Sequence, residues 1–222
     1  IFKEAVKIRM ISDVPLGAFL SGGIDSSATV AMMSKLGNIP VKTFSIGFLE
    51  SEYNELEYAR IIAKLYQTDH EEFVVKPDIT TIIPKLIWYY NEPYADSSAI
   101  PTYYISKLTK SKVTVALNGD GGDESFAGYE RYIADKLANI YQYVPFFLRE
   151  SIIKRLAYLI FPFNPKFKSF SRRLRRFLDS ISYEKERRYV QWICFFNNNQ
   201  KDEIYHEDFK KEIGLYDSSD LT

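Results

Sequence analysis

The sequence predicts an α/β domain in which a parallel, twisted sheet is flanked by helices, followed by a helical C-terminal extension. Up to about residue 133, short apolar runs alternate with segments whose apolar residues recur at helical spacing. Short apolar runs are typical of strands buried on both faces, and strands alternating with helices imply right-handed crossovers. From residue 134 onward the pattern is helical nearly throughout, with basic and aromatic residues interleaved. We therefore expect two parts, residues 1–133 and residues 134–222.

The elements of the first part are predicted in a regular order. Strands are expected at the apolar runs Val14–Leu20, Val41–Phe48, Glu72–Val75 and Val113–Leu117. Helices are expected over Asp25–Leu36, which ends at Gly37, and at the apolar stripes that begin at Leu56, Ile79 and Ile100. A parallel sheet binds ligands at the carboxyl ends of its strands, and glycine and aspartate are concentrated there in this sequence.

The composition excludes several classes of protein. Among 222 residues, 29 Lys and Arg balance 29 Asp and Glu, which argues against a nucleic-acid coat protein or a polybasic membrane binder. No apolar run reaches the roughly 18 residues of a membrane span. The single cysteine, Cys194, excludes an internal disulfide framework and fits a reducing compartment, so we expect a cytoplasmic protein. The sequence starts on Ile1 inside a helical pattern, and we expect a fragment of something longer.

The first loop with chemical content is Ser21-Gly-Gly-Ile-Asp-Ser-Ser27, between a buried strand and a helix. Gly22 and Gly23 allow a sharp turn, while backbone amides and the hydroxyls of Ser21, Ser26 and Ser27 can donate to phosphate oxygens. The loop matches neither the lysine-containing Walker A pattern nor the dinucleotide pattern. Asp25 beside bound phosphates would repel them unless a cation lay between, so its position predicts Mg²⁺. The alternative is a glycine-rich turn with a helix cap.

The second loop is Asn118-Gly-Asp-Gly-Gly-Asp-Glu124, which follows the last predicted strand and so lies at the same rim of the sheet. Its three carboxylates repel one another unless a cation or hydrogen-bond donors bind some of them. Asp25 on the first loop and Asp123 on the second can hold Mg²⁺ between them, because Mg²⁺ takes few protein ligands. The alternative is a solvated turn rich in glycine and aspartate.

These two loops carry a family resemblance. Ser-Gly-Gly-x-Asp-Ser-Ser after an apolar strand resembles the pyrophosphate loop of the N-type ATP pyrophosphatases, which cleave ATP between the α and β phosphates. The surrounding sequence is similar to the synthetase domain of glutamine-dependent asparagine synthetases up to about residue 133. The matching segments are residues 11–27, Thr43–Phe48, Tyr53–Glu55, Glu92–Pro93, Leu117–Glu124 and Gly128–Tyr129. The resemblance implies the Rossmann-like fold of the adenine nucleotide alpha hydrolases.

The resemblance also implies residue roles. Phe19, Leu20, Ile46 and Gly47 would wall the adenine, with core packing as the alternative for the three side chains, and Asn118 and Gly119 would lie near the ribose. Asp25 and Asp123 would bind Mg²⁺. Asp120 would be the base that takes a proton from ammonia, although it stands where the family often has the longer Glu.

Substrate contacts are expected at three further places. Ser97 and Ser98 could present donors to a substrate carboxylate at a helix start, or could simply cap that helix. By resemblance, Glu124 would receive a substrate ammonium, and Arg131 is a weaker candidate for a substrate anion.

His70 is expected to be a hydrogen-bonded structural residue. The basic stretch 166–188 is expected to form a solvated helix face or a contact with a missing domain rather than an RNA site.

The reaction implied by the resemblance is ATP-dependent amide formation. Aspartate is converted to β-aspartyl-AMP with release of pyrophosphate, and ammonia then displaces AMP to give asparagine. In the family, glutamine supplies the ammonia through an N-terminal glutaminase domain, which this sequence lacks. We expect small-molecule substrates, no nucleic acid and no membrane, and a homodimer is left open. Two alternatives remain: a related ATP pyrophosphatase with a different acceptor, and an inactive fragment that only binds the nucleotide.

Overall fold

The computed structural model describes residues 1–49, 55–92, 94, 96–160, 168–196 and 198–214. Parts of three segments singled out above, Tyr53, Asn54, Pro93 and residues 166–167, lie outside these ranges. The chain divides into two compact units, Ile1–Phe126 and Ala127–Thr222. The sequence predicts a domain boundary at residue 133, and that boundary stays a prediction.

The first unit is built on a four-stranded sheet whose strands are all parallel. The strands are β1 (Leu16–Phe19), β2 (Lys42–Phe48), β3 (Asp69–Val75) and β4 (Val115–Leu117). They lie in the order β3-β2-β1-β4, with Phe19 of β1 opposite Phe44 of β2 and Ala18 opposite Leu117 of β4. The predicted α/β class with a parallel sheet is confirmed, and each expected apolar run contains a strand.

Helices occupy the connections, as the alternating pattern predicted. In the first unit they are α1 (Phe2–Arg9), α2 (Ile24–Leu36), α3 (Leu56–Leu65), α4 (Ile79–Tyr90), α5 (Ala99–Thr109) and α6 (Gly122–Phe126). The chain leaves α2 at Gly37 in an extended conformation, where the sequence placed the helix end. Asp78 caps α4 by accepting from the backbone N–H groups of Thr80 and Thr81 at 3.2 and 3.4 Å.

The two faces of the sheet bury separate apolar clusters, because successive side chains of a strand point to opposite faces. Ala18 and Leu20 lie on one face with Val30 and Met33 of α2, and these four are at most 2% exposed. On the other face Phe44 packs with Ile105 of α5 and Val113, and Phe19, Ile46, Phe73 and Ala116 border this cluster. Burying a side chain of Leu or Phe size stabilises by about 1.5–3 kcal/mol, so these clusters fix the strand ends that carry the loops.

The second unit is helical, as expected. Its helices are α7 (Glu130–Tyr141), a π-helical stretch (Leu148–Ile153), α8 (Lys154–Ile160), α9 (Lys168–Ser180), α10 (Lys185–Ile193), α11 (Asn198–Ile204) and α12 (Glu207–Ile213). Among the described residues, no helix has the length and apolar character needed to cross a membrane.

Several basic residues of the second unit make contacts within it, and Arg188 among them is buried, whereas Arg173 and Arg176 are exposed. Arg188 is fully buried and donates from Nη2 to Asp135 at 2.8 Å and to Asn139 at 2.9 Å. Arg173 pairs with Glu130 at 2.8 Å, and Arg176 donates to the backbone oxygen of Cys194 at 2.8 Å. The buried Arg188 joins α10 to α7, because a guanidinium can bridge several acceptors at once, whereas Arg173 and Arg176 make their contacts at the exposed surface.

Arg131 also makes its contacts with residues of the second unit. Its Nε donates to the hydroxyl of Tyr189 at 3.1 Å, and its guanidinium lies 3.6 Å from the ring centroid of Tyr129. Tyr132 is a further aromatic neighbour, at 5.8 Å. A guanidinium stacked on aromatic rings in this way is stabilised by cation–π attraction. These contacts explain Arg131 without a substrate, and the expected anion contact stays a prediction.

Candidate functional site

The crevice between β1 and β4 is the point where the direction of strand order reverses. From β1 the chain moves outward to β2 and β3 on one side, whereas β4 pairs with the other side of β1. The connections that leave β1 and β4 therefore diverge and open a crevice at the carboxyl edge, where open α/β sheets bind ligands. Both loops singled out in the sequence start at this edge, since Leu20 follows β1 and Asn118 follows β4.

The first loop has a backbone that only glycine accommodates. Gly22 has φ +87°, and a Cβ there would lie 2.6 Å from Cβ of Tyr58 and 2.7 Å from the backbone nitrogen of Ala59. The first turns of α3 therefore press directly on the loop. The sequence singled out Gly22 for a sharp turn, but Tyr58 was missed because its contact joins residues distant in sequence.

Serine hydroxyls fix the shape of this loop from inside. Ser26 is 8% exposed, and its Oγ lies 3.0 Å from Oγ of Ser21 and 3.2 Å from the backbone oxygen of Gly23. The backbone N–H of Ser21 also donates to Ser26 Oγ, at 3.3 Å. In contrast, the buried hydroxyl of Ser27 has no hydrogen-bond partner among the residues the structure describes. This hydroxyl is buried rather than open to the crevice, so the expected contact between Ser27 and a ligand stays a prediction.

The start of α2 is also available to an anion. Gly23 precedes the helix and provides no side-chain cap, so the N–H groups of the first turn receive no side-chain acceptor from it. The N-terminus of a helix carries a partial positive charge that attracts phosphate. Asp25 lies in this same first turn, so a polyphosphate here would need a cation beside it.

The second loop packs against the start of α2. A Cβ on Gly119 would lie 2.7 Å from the backbone nitrogen of Ser26, and a Cβ on Gly122 would lie 2.3 Å from Cγ of Asp25. Real Cβ atoms essentially never come that close to a neighbour, so only glycine fits at Gly119, whose nearest neighbours are backbone atoms, whereas a residue at Gly122 would have to displace the Asp25 side chain. The two loops therefore meet at Asp25 and Ser26. Asp123 is adjacent to Gly122 and lies in the first turn of α6 together with Glu124.

Asp120 is held by a local turn. The backbone N–H of Gly122 donates to the oxygen of Gly119 at 3.1 Å, and Gly121 has φ +84°. Within this turn, Asn118 Nδ2 donates to Asp120 Oδ2 at 2.5 Å, and the Asp120 N–H donates to Asn118 Oδ1 at 3.3 Å. Both side chains are exposed at the edge of the crevice.

A groove of about 880 Å³ adjoins this meeting point. Asp25, Asp120, the backbone around Gly119 and residues of α1 including Phe2 and Val6 line it. Asp123 and the serines of the first loop are not among its lining residues.

The residues expected around an adenine lie on both faces of the sheet. Phe19 and Ile46 are half-buried beside Phe44, while Gly47 is buried. Leu20 is 1% exposed and belongs to the core, as the packing alternative proposed, so its side chain does not reach the surface of the crevice. Its backbone oxygen accepts a hydrogen bond from the hydroxyl of Ser45.

Before α5, the side-chain hydrogen bond is made by Asp96 and not by the hydroxyl of Ser97 or Ser98. The carboxylate of Asp96 accepts from the backbone N–H of Ser98 at 2.8 Å, and neither Ser97 nor Ser98 caps α5 with its hydroxyl. Tyr94, which the sequence did not single out, stacks on Tyr90 at 4.1 Å between ring centroids. Partial burial and the charges of Asp96, Glu92 and Asp120 raise the pKa of Tyr94.

His70 lies in β3 as a structural residue. Its Nδ1 is 2.9 Å from Oγ1 of Thr43, and its Nε2 is 3.5 Å from Glu72, which forms two hydrogen bonds with Arg60. Burial lowers the pKa of His70, and the nearby carboxylate of Glu72 opposes that shift only in part. The neutral form is therefore favoured in the folded protein.

The donor set at the crevice fits magnesium bound together with phosphates. Within the described part of the chain, no cluster of three or more His, Cys, Asp or Glu side chains could hold a metal alone. Mg²⁺ usually takes only one or two carboxylates, and waters and substrate phosphates complete its shell. Asp25 and Asp123 could supply those carboxylates, since the backbone next to Asp123 touches the Asp25 carboxyl group.

Comparisons with known proteins identify the family of this chain. A relative from Methanocaldococcus jannaschii, named as a glutamine-hydrolyzing asparagine synthetase, is 45% identical over 148 residues, 66% of this chain and 28% of the relative. Asparagine synthetase 1 of Bacillus subtilis, also named as glutamine-hydrolyzing, is 36% identical over 151 residues, 68% of this chain and 24% of the relative. The match thus spans about a quarter of the length of these curated relatives.

One solved structure, an NH3-dependent NAD synthetase from Campylobacter jejuni, covers 82% of this chain and 93% of its own chain, with a TM-score of 0.36 and 10% identity. A likeness at this level supports no conclusion about the fold. The family model described as asparagine synthase, by contrast, matches residues 1–218. The chain therefore belongs to the asparagine synthase family.

Proposed function

We propose that this chain catalyses ATP-dependent amide formation, with aspartate as the acceptor and ammonia as the nitrogen donor. The observation that carries the proposal is the packing of the second loop on the first turn of α2. A Cβ at Gly122 would lie 2.3 Å from the Asp25 carboxyl carbon, so one ligand at this point can touch both loops. Family membership supports the same reaction class.

ATP would bind with its phosphates along the first loop. The uncapped start of α2 and the backbone at Gly22 and Gly23 are suitable donors, and the buried hydroxyl of Ser27 would have to turn outward to join them. Ser21 and Ser26 hold the loop in shape through their mutual hydrogen bond. The half-buried surfaces of Phe19 and Ile46, with Gly47, suit a flat purine, and Asn118 and Gly119 border the ribose.

Magnesium is proposed to bind between Asp25 and Asp123. When bound, it compensates the negative charge that develops on the leaving pyrophosphate. The two carboxylates then serve as ligands, and the first loop orients the α phosphate toward the acceptor. Positioning and charge compensation of this kind account for catalysis without a covalent enzyme intermediate.

The reaction proceeds in two substitutions. An oxygen of the aspartate side-chain carboxylate attacks the α phosphorus, the bond between the α phosphorus and its bridging oxygen breaks, and pyrophosphate leaves. Ammonia then attacks the acyl carbon of β-aspartyl-AMP, the bond from that carbon to the AMP oxygen breaks, and AMP leaves with the electron pair. Asp120 takes a proton from the attacking nitrogen, because its carboxylate lies at the edge of the crevice.

The acceptor would be bound by polar groups near this point. Glu124, in the same helical turn as Asp123, would receive the substrate ammonium, and Ser97 and Ser98 before α5 would face the substrate carboxylate. Ammonia would come from solution or from glutamine hydrolysed by a glutaminase domain. We place the protein in the cytoplasm, where its single cysteine would remain reduced.

The test is an assay of AMP and pyrophosphate release with Mg·ATP and ammonia, comparing aspartate with other carboxylic acids. We expect release with aspartate, and loss of it in Asp25→Asn and Asp123→Asn. Asp13→Asn is the matched control, because this exposed residue precedes β1 and lies away from the carboxyl edge. Pyrophosphate release with a different acceptor would assign another substrate to the same site. Mg·ATP binding without pyrophosphate release would contradict the proposed activity.

A further inference from the structure

We infer that Asn118 is a positioning residue that sets the orientation of the Asp120 carboxylate; this rests on the proposed function. The family resemblance implies that Asn118 lies near a ribose, and Asp120 is one methylene shorter than the Glu that the family often has at its place. The two side chains form a closed pair, in which Asn118 Nδ2 donates to Asp120 Oδ2 at 2.5 Å and the Asp120 N–H donates to Asn118 Oδ1 at 3.3 Å.

The position of Asn118 is fixed from the sheet side. It follows Leu117, which pairs with Ala18 in β1 and packs against the core. A residue at the end of a strand whose neighbour is paired and partly buried has restricted backbone freedom, since moving it would break the ladder and expose part of the core. Asn118 therefore presents its amide group from a fixed point.

The position of Asp120 is fixed from the loop side. Gly119 rests on the backbone of Ser26, and the hydrogen bond from Gly122 N–H to Gly119 oxygen at 3.1 Å closes a tight turn around Asp120. The positive φ of Gly121, +84°, completes that turn. The backbone of Asp120 is thus set, and the remaining freedom lies in its side-chain torsions.

The amide of Asn118 restricts that freedom. One carboxylate oxygen of Asp120 accepts from Asn118, and an ionised carboxylate has two oxygens, so Oδ1 stays available to take a proton. A longer Glu would have one more torsion to restrict, whereas Asp and Asn two residues apart form a compact pair. The hydrogen bond from Asn118 therefore fixes the direction of the shorter Asp120 carboxylate.

Rigidity of this kind matters to a base. A displacement of about 1 Å in a reacting group costs on the order of 10²-fold in rate. Removing the Asn118 donor is therefore expected to slow ammonia attack by about 10- to 100-fold. Adenylation of the acceptor, which needs no base at Asp120, should slow much less.

The kinetic test compares Asn118→Leu, which keeps the side-chain shape, with Asn118→Asp, which replaces the donor by a like charge. Each protein is assayed for aspartate-dependent exchange between ATP and pyrophosphate and for asparagine formation from ammonia. Asn38→Asp is the matched control, since this exposed residue lies beyond the far end of α2. Thermal melts identify any variant that does not fold.

A double-mutant cycle with Asp120→Asn separates positioning from a structural role. We expect the Asn118 substitutions to slow asparagine formation at least tenfold more than exchange, and to have no such extra effect when Asp120 is already replaced. Equal loss in both steps, or the same loss in the Asp120→Asn background, would overturn the inference while leaving the proposed function intact. Absence of pyrophosphate exchange in the unmodified protein would overturn both.

A measurement without turnover tests the contact itself. A carboxylate acceptor moves an amide proton resonance downfield, so one side-chain N–H of Asn118 should shift upfield in Asp120→Ala. The resonance should be unaffected by Asp13→Asn. An Asn118 side-chain resonance that does not respond to Asp120→Ala would contradict the pairing even if every variant were inactive.

Discussion

Gly119→Ala tests the contact between the two loops directly. A Cβ at this position would lie 2.7 Å from the backbone nitrogen of Ser26 and 3.0 Å from the backbone carbon of Asp25. Because ordinary contacts begin at 3.4 Å, the loop must move away from α2 by about 0.7 Å. Neither neighbour is a flexible side chain that could turn aside, so the displacement falls on the loop backbone.

The expected cost follows from this overlap. Overpacking of this size destabilises by about 1–3 kcal/mol, which corresponds to a fall in Tm of about 2–12 °C for a chain of this length. The displaced loop carries Asp123 away from Asp25, so we expect Mg·ATP to bind at least about tenfold more weakly.

The assay is calorimetric titration with Mg·ATP at a temperature where the variant is folded. Gly37→Ala is the control, because its Cβ would also meet a backbone atom, Met33 oxygen at 3.2 Å, but at the opposite end of α2. The control should bind Mg·ATP as the unmodified protein does. Folded Gly119→Ala protein with unchanged Mg·ATP affinity would refute the convergence of the loops on one ligand.

Two further predictions concern stability. Burial lowers the pKa of His70 from its ordinary value of 6.5, so the unfolded chain binds the proton more tightly than the folded protein does. The free energy of unfolding should therefore fall as the pH drops below about 6.5. Urea titrations should show this loss in the unmodified protein and not in His70→Gln, and identical pH profiles of the two proteins would contradict the assignment. Arg188→Ala leaves Asp135 without its buried partner and should lower the free energy of unfolding by about 3–5 kcal/mol, whereas the surface change Arg9→Ala should alter it little; similar urea midpoints for the two variants would show that the pair contributes nothing.

The sequence alone predicted the parallel sheet and the edge of the sheet at which the two loops lie. Apolar runs located β1 and β4, although β4 is an edge strand with Val115 exposed rather than buried on both faces, and parallel strands bring their carboxyl ends to one edge. The two loops therefore had to meet near Asp25. Strand boundaries were less accurate, since β4 begins at Val115 rather than Val113 and β3 begins earlier than expected.

Contacts that depend on backbone detail or on distant residues could not be predicted. The pairing of Asn118 with Asp120 depends on the backbone turn around Gly119, Gly121 and Gly122, which these three glycines permit but do not fix. The burial of Arg188 depends on Asp135, 53 residues earlier, and charged residues are rarely buried without such a partner. The burial of Leu20 followed from strand alternation, which assigns it to the face of Ala18.

The most direct measurement of the central claim is a crystal structure with a non-hydrolysable Mg·ATP analogue. We predict that the α and β phosphates lie along residues 21–27 and that one Mg²⁺ ion is bound between Asp25 and Asp123. Nucleotide bound away from the carboxyl ends of β1 and β4, or a metal ion that touches neither carboxylate, would contradict the account.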